Sequence, residues 1–306
     1  MPKFSVVIPC FNAVHTIKDT IASIQAQSLP DWEIICVDDG SRDKTREIIA
    51  NIAMTDPRIR LFASAGKGPS TARNAGALIH ASGDLIAFCD ADDQWTPDKL
   101  AQLKAAFGDT SIDGAYGQIG FFEGTPSDAK VFSAVPGGPL TIKGLLGENP
   151  ACTMSNITVR RRAFARSGGF DGSMVHNEDL EWLIRSVGLG ARIIGLPLLQ
   201  TWYRTSLDGL STDLAAMLAG RTRALHTAAQ FGVTPDARSH AIHHRYLARR
   251  ALRTDGAAHD ALGHTLRGLG HSPAAFFSPL RRGTLTLLGA VVAPLLPRIL
   301  RRTLFS

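Results

Sequence analysis

Three carboxylates, Asp90, Asp92 and Asp93, fall within four positions of the stretch LIAFCDADDQW, directly behind an apolar run. Two carboxylates about 4 Å apart repel by roughly 1 kcal/mol in water and by about 4 kcal/mol at the effective dielectric of a protein edge, so the cluster asks for a cation. Hard oxygen ligands of this kind suit Mg2+ or Mn2+ held jointly with substrate phosphates. A solvated acidic turn explains the tetrapeptide equally well in isolation. In an extended stretch, alternation would put Asp90 and Asp92 on one side.

Further stretches carry groups with similar potential. In VDDGS, residues 37 to 41, an acidic side chain at a strand end can accept hydrogen bonds from a ribose or a uracil imide, although Asp, Gly and Ser are also plain turn residues. GPSTARNAG, residues 68 to 76, sets Arg73 and Asn74 at a loop-to-helix junction, where backbone N–H groups and a guanidinium suit a phosphate. NEDLEW, residues 177 to 182, makes Glu178 and Asp179 adjacent, so on a helix only one points squarely into a cleft. Acids favourable to a helix dipole explain the pair without chemistry. HAIHHRY spaces His240, His243 and His244 as zinc ligands on a helix could be spaced, but no cysteine is near and a solvated basic face is the simpler reading.

The elements that must position these groups alternate. The β-branched runs at 3–9 and 33–38 flank Val14, Ile17, Ile21 and Ile24 at helical spacing, a β-α-β unit. Helices near 43–54 and 70–81 and strands at 59–63 and 84–89 continue it. This order predicts a mostly parallel sheet with helices on both faces, whose ligands sit beyond the carboxyl ends of the strands. The DADD cluster, Pro9 to Asn12 and Asp38 to Ser41 all lie at such ends, which favours a metal over a bare turn. Beyond Trp95 the pattern predicts a helix over 97–107, an extended run at 151–159, helices near 160–167 and 177–188, extended chain over 190–206, and helices from Asp213 onward.

At 306 residues and 44% apolar content the chain suffices for one large α/β unit and an appendage. Cys10, Cys36, Cys89 and Cys152 show no metal or disulfide spacing and read as reduced thiols of a cytosolic protein. MPKFSVVIPC reads as a first strand and not as a signal peptide. No run of about 18 apolar residues predicts a membrane-spanning helix. The net charge of +6 conceals an asymmetry: residues 213–306 hold 13 Arg, no Lys and four Asp.

Taken together, VVIPCFN, VDDGS with Asp43 and Thr45, ARNAG, and FCDADDQW followed by Pro97, Lys99 and Leu100 resemble the family 2 glycosyltransferases of the GT-A fold. Order and spacing match over about the first 105 residues, and GGFDG, NEDLEW and YRTSLDGLS extend the resemblance to about residue 212. The resemblance implies an α/β GT-A catalytic domain over 1–212, with a nucleotide-sugar half (1–105) and an acceptor half (106–212), and a basic helical extension over 213–306. It implies transfer of a sugar, with inversion, from a nucleotide-diphospho-sugar, most simply a UDP-sugar. Asp39 would contact the nucleobase, Asp90 the ribose side, and Asp92 a divalent Mn2+ or Mg2+ on the diphosphate. Pro9, Phe11, Asn12, Arg73, Asn74 and Ala91 would line the donor site. The family pattern gives the general base to Asp179, and Tyr203 and Arg204 resemble a motif closing over the diphosphate. Trp95, His176, Glu178 and Trp182 stand where they would line an acceptor pocket or pack as core.

The C-terminal LTLLGAVVAPLLPRILRR is apolar, broken by Gly289, Pro294 and Pro297, and bounded by arginines. It reads as an interfacial segment on an anionic membrane, with a plain packed helix as the competing reading. Nucleic acid is disfavoured because stacking aromatics are sparse there. The expectation is a cytoplasmic enzyme at the inner face of the cell membrane, acting on a lipid-linked glycan for a surface polysaccharide. A polyprenyl-phosphate glycosyltransferase and a noncatalytic sugar-nucleotide-binding protein are the alternatives.

Overall fold

A computed structural model describes residues 3–205, 214–253 and 258–296. Residues 206–211 of YRTSLDGLS, and Pro297, Arg298, Arg301 and Arg302 of the basic segment, lie outside the described residues. The chain groups into two compact units, Met1–Leu140 with Pro150–Thr227, and Thr141–Asn149 with Ala228–Ser306. The loop Thr141–Asn149 joins the C-terminal unit across a long stretch of sequence, a grouping that local pattern does not reveal.

The first unit opens with the expected alternation: β1 (Phe4–Cys10), α1 (Ile17–Gln25), β2 (Trp32–Asp38), α2 (Thr45–Thr55), β3 (Ile59–Ala63), α3 (Pro69–Asn74) and β4 (Leu85–Phe88). β1, β2 and β4 are covered on both faces, which is why they read as nearly unbroken apolar runs. α3 runs on into a π-helical stretch, Ala75–His80, where Gly76 presses on β1: a Cβ there would lie 2.4 Å from Val7 Cγ1. Then follow β5 (Gln94–Trp95), α4 (Lys99–Ala106), β6 (Gly114–Phe122) and β7 (Val131–Phe132). α5 (Ile142–Leu145) belongs to the other unit. β8 (Ile157–Arg160), α6 (Arg161–Arg166), α7 (Glu178–Gly188) and β9 (Ile193–Arg204) complete the order, with most of α8 (Leu214–Gln230).

Among the described residues one sheet runs β3-β2-β1-β4-β8-β6-β9-β5, with β7 on β6. It is parallel from β3 to β4, as the β-α alternation requires. β8 then enters antiparallel to both β4 and β6, while β9 runs parallel to β6. The parallel character therefore holds for the first half and gives way to a mixed second half. Because β8 reverses between them, β4 and β6 point the same way, and the carboxyl ends of β1, β2, β3, β4, β6 and β9 share one edge. The expected extended run at 151–159 is a strand only from Ile157; Met154–Asn156 form a 3-10 turn capped by the Thr153 hydroxyl.

Alternation along the strands divides the core. Phe4, Val6, Ile8 and Cys10 pack with Ile17, Ile21 and Ile24 of α1 and with Leu100 and Leu103 of α4. On the other face Phe88 meets Phe164 and Phe170, and both touch Trp182.

In the second unit α9 (Ala237–Arg253), α10 (Ala258–His271), α11 (Pro273–Phe276) and α12 (Leu280–Val292) pack around Ala251, Leu252, Ala261, Ala290 and Ala293. Glu148 binds Arg282 at 3.0 Å, and buried Arg245 donates to the Phe276 and Ser278 carbonyls. The histidines are not a solvated face: His240, His244 and His271 stack, and His244 and His264 bring their Nδ1 atoms to 3.2 Å. Burial, with these neighbours, depresses the His244 pKa to about 4. Among the described residues no three His, Cys, Asp or Glu are grouped to hold a metal ion. No described helix is long and apolar enough to cross a membrane.

Candidate active site

At the shared edge, the loops after β1 and β2 are stitched together. Asn12, in a left-handed conformation (φ 48°), donates its backbone N–H to the Ser41 hydroxyl and accepts from the Arg42 N–H. Asp43 accepts from the Val14 N–H and the Thr45 hydroxyl. Pro9 lies within β1, half-buried, and Phe11 projects into solvent. Buried Asp38 is spent on the turn, accepting from the Gly40 and Ser41 N–H groups. Asp39 accepts from Gly68 N–H through Oδ2, while its Oδ1 is buried with no hydrogen-bond partner among the described residues. Both line a cleft of ≈ 260 Å3 with Gly40, Arg46 and residues 63–67. A buried acceptor with no donor is uncommon in a folded protein and marks this position as unusual.

The acidic cluster is a turn, not an extended stretch: the Asp93 N–H donates to the Asp90 carbonyl at 3.2 Å. Asp90 and Asp92 are thus brought together by chain reversal instead of by alternation. The Asp90 carboxylate takes Arg73 Nη2 at 2.6 Å and the Thr153 hydroxyl at 3.1 Å, and its N–H donates to the Ser155 hydroxyl. Asp93, to which the sequence assigns no role, is fully buried and accepts from the Arg204 N–H at 2.9 Å. Burial and the charges of Asp92 and Asp90 hold its carboxyl well above the usual range. It ties the acidic turn to β9.

Asp92 is left facing the edge. No side chain among the described residues donates to its carboxylate, and burial, then Asp90, raise its pKa to about 6. A carboxylate pushed toward its neutral form by a neighbouring anion is one that a cation would ionise. One carboxylate can hold a divalent ion whose other ligands are phosphate oxygens and water. Asp92 is therefore the residue here that could hold a divalent metal shared with a diphosphate.

Arg73 connects this turn to α7. Its Nη1 donates to Glu178 at 2.9 Å as its Nη2 holds Asp90, so the guanidinium offered by ARNAG is occupied by two carboxylates and not exposed for a phosphate. Asn74 is likewise spent, pairing both amide atoms with the Phe170 backbone. Asp179, next in the chain, is half-buried at the first turn of α7, and burial, then Glu178, raise its pKa to about 7. The start of α7 is shaped by α8: Asn177 (φ 57°) donates to the Met217 carbonyl, and a Cβ on Gly220 would lie 2.1 Å from the His176 carbonyl oxygen.

The aromatic candidates separate. Trp182 is core, its Nε1 on the Ser167 hydroxyl, and Trp95 is buried with its Nε1 on the Ser155 carbonyl, so neither lines a pocket. Tyr203 is half-buried edge-on to Phe121, and Ala91 is half-buried in the acidic turn. Arg204 grips that turn from β9, its Nε on the Asp92 carbonyl at 3.1 Å. Sequence reasoning missed Ser155 and Thr153, and met Lys99 only as one letter of a motif, without its role. Lys99 is fully buried behind the turn, donates to the Ser155 carbonyl and Thr201 hydroxyl, and is lowered by burial to a pKa of about 7. Nothing local in PDKL signals that its lysine is buried.

Residues 5–168, more than half of the chain, match the family model "Glycosyl transferase family 2". Among curated relatives, the putative teichuronic acid biosynthesis glycosyltransferase TuaG of Bacillus subtilis is 44% identical over 32% of this chain and 39% of its own length. The UDP-Glc:alpha-D-GlcNAc-diphosphoundecaprenol beta-1,3-glucosyltransferase WfgD of Escherichia coli is 39% identical over 37% of this chain and 44% of its own. The match thus spans well under two thirds of these relatives. Among solved structures, S. aureus TarS 1–349 in complex with UDP aligns with TM-score 0.59 at 16% identity, covering 95% of this chain and 91% of that one. The mannosyltransferase PcManGT of Pyrobaculum calidifontis, in complex with GDP-Man and Mn2+, aligns with TM-score 0.56 at 20% identity, covering 96% and 87%. These likenesses agree with the α/β GT-A architecture of the first unit. The chain belongs to glycosyl transferase family 2.

Proposed function

We propose that the protein is an inverting, metal-dependent glycosyltransferase that moves a sugar from a UDP-sugar to a hydroxyl of a lipid-linked glycan in surface polysaccharide synthesis. The observation that carries this reading is the Arg73 bridge, which sets the Asp90–Asp92 turn beside the Glu178–Asp179 pair. The cleft with the unpartnered Asp39 Oδ1 suits a nucleobase imide. UDP in TarS and the UDP-Glc and diphosphoundecaprenol of WfgD support the donor and acceptor classes, and Mn2+ in PcManGT supports the cofactor.

A divalent ion bound at Asp92 would supply Lewis-acid stabilisation of the departing diphosphate. The rest falls to the chain's own groups. Asp39 holds the base, and Arg73 keeps Asp90 oriented toward the ribose. Asp179 takes the proton of the acceptor hydroxyl as its oxygen bonds to the anomeric carbon, and the bond from that carbon to the diphosphate oxygen breaks on the opposite face, inverting the centre. A carboxylate with a pKa of about 7 is matched to this task, being ionised enough to act and basic enough to accept. Such an enzyme would work in the cytoplasm at the inner membrane face, where a soluble donor meets a lipid-linked acceptor.

The test is Mn2+-dependent turnover of a panel of UDP-, GDP- and dTDP-sugars. Hydrolysis or transfer that disappears in Asp92→Ala and Asp179→Asn supports the proposal. Full transfer by Asp179→Asn would indicate an already anionic acceptor, a polyprenyl phosphate. Absence of any turnover with bound donor would indicate a noncatalytic binding protein.

A further inference from the structure

The helix α12 is built inside out. Its buried residues are Gly283, Thr286, Gly289 and Ala290, all small, whereas Leu280, Leu285, Leu288, Val291 and Val292 are between 41% and 70% exposed. At 3.6 residues per turn, Leu285, Leu288 and Val292 share one sector about 60° wide, and the buried residues lie on the opposite arc. Leu295, just past the helix, is 81% exposed. At Gly283 nothing larger fits: a Cβ there would lie 2.6 Å from the Phe276 carbonyl oxygen and the Phe277 Cα.

A helix of a water-soluble domain turns its large aliphatic residues to the core. The reverse, with small residues making the helix contacts and leucines facing outward, is the arrangement of helices solvated by hydrocarbon. An apolar surface of this kind marks an interaction site. The helix is too short to span a bilayer. It has the character of one that lies in the plane of the interface.

Charge selects among occupants. Arg281 is exposed at the start of the same helix, Arg298, Arg301 and Arg302 follow in sequence, and residues 213–306 hold 13 Arg against four Asp. We infer that the outward face of α12 seats this unit on an anionic lipid bilayer, its aliphatic side chains at the headgroup–acyl boundary and arginines on lipid phosphates. The inference stands apart from the proposed reaction, since a bilayer would be bound whatever the first unit catalyses.

The test uses the full chain, co-sedimented with vesicles of phosphatidylcholine with and without phosphatidylglycerol. Binding is expected to anionic vesicles, to weaken with salt, and to fall by about tenfold or more in Leu285→Glu/Leu288→Glu. The thermal midpoint of that variant should match wild type, because both side chains already face outward. Ile79→Glu, at a still more exposed aliphatic residue of the other unit, should bind as wild type. The inference is overturned by absence of binding, or by equal binding of the double variant. A concentration-dependent dimer abolished by the double variant, without vesicle binding, would overturn it in favour of a second copy.

Discussion

Asp90 and Glu178 are held by a single guanidinium, that of Arg73, at 2.6 and 2.9 Å. Two carboxylates from distant parts of the sequence share one buried cation, so neither can be removed without unbalancing the other. Breaking a buried pair by deleting one partner costs about 3–5 kcal/mol. Arg73→Met should lose about that much, read as a lower urea midpoint at unchanged slope. Adding Glu178→Gln should restore part of it, a coupling that simple cavity formation would not produce.

A base of pKa about 7 fixes the sign of the pH profile. Transfer by the wild type should fall about tenfold per pH unit below that value and level off above it, as Asp179 ionises. Asp179→Asn should retain only a low rate without this limb. The linkage to stability has the opposite sense. The folded protein keeps a proton on Asp179 that the unfolded chain releases above its ordinary pKa of 3.8, so stability falls as pH rises from about 4 to about 7. That slope should be shallower in Asp179→Asn under denaturant titration.

Asp92 combines a functional position with an unfavourable one. Since burial and Asp90 disfavour its charge, Asp92→Asn should leave the metal-free protein as stable as wild type or slightly more so at pH 8. The variant should lose the stabilisation by Mn2+ and UDP together, worth about 2.7 kcal/mol at a hundredfold excess over Kd. Thermal melts with and without both ligands give the two readings in one experiment.

Gly220 of α8 is pressed against the His176 carbonyl, immediately before the catalytic candidates. Gly220→Ala should cost about 1–3 kcal/mol by overpacking. It should also lower kcat with little change in donor KM, because the displaced segment carries Asp179 and not the nucleotide cleft. An unchanged kcat would show that the strain is absorbed within α8.

Much of the site was legible because its groups sit in contiguous motifs at strand and helix ends. Asp39, Asp90, Asp92, Glu178 and Asp179 all fall where strand alternation and helix periodicity stop. What stayed hidden depends on long-range packing. The phosphate role read from Arg73 gave way to two carboxylates that no local window brings near it. Asp93 and Lys99 look like surface residues until β9 and the Ser155 turn close over them. Trp95 and Trp182 show the limit of residue type: a bulky aromatic serves a pocket or a core equally, and only the fold distinguishes the two. The sheet departs from the β-α alternation at β8, where strand patterning carries no information on direction.

The position of β6 also bears on how the protein can be dissected. The family match ends at residue 168, after β8 but before β9. β6 pairs with β9 along most of its length, from Gly114 to Phe122. A fragment cut at the boundary of the homology would therefore present a long, apolar, unpaired strand, the kind of edge that recruits other chains into aggregates. The stretch that matches the family and the stretch that can be expressed alone are different objects, and a workable truncation has to retain Ile193–Arg204.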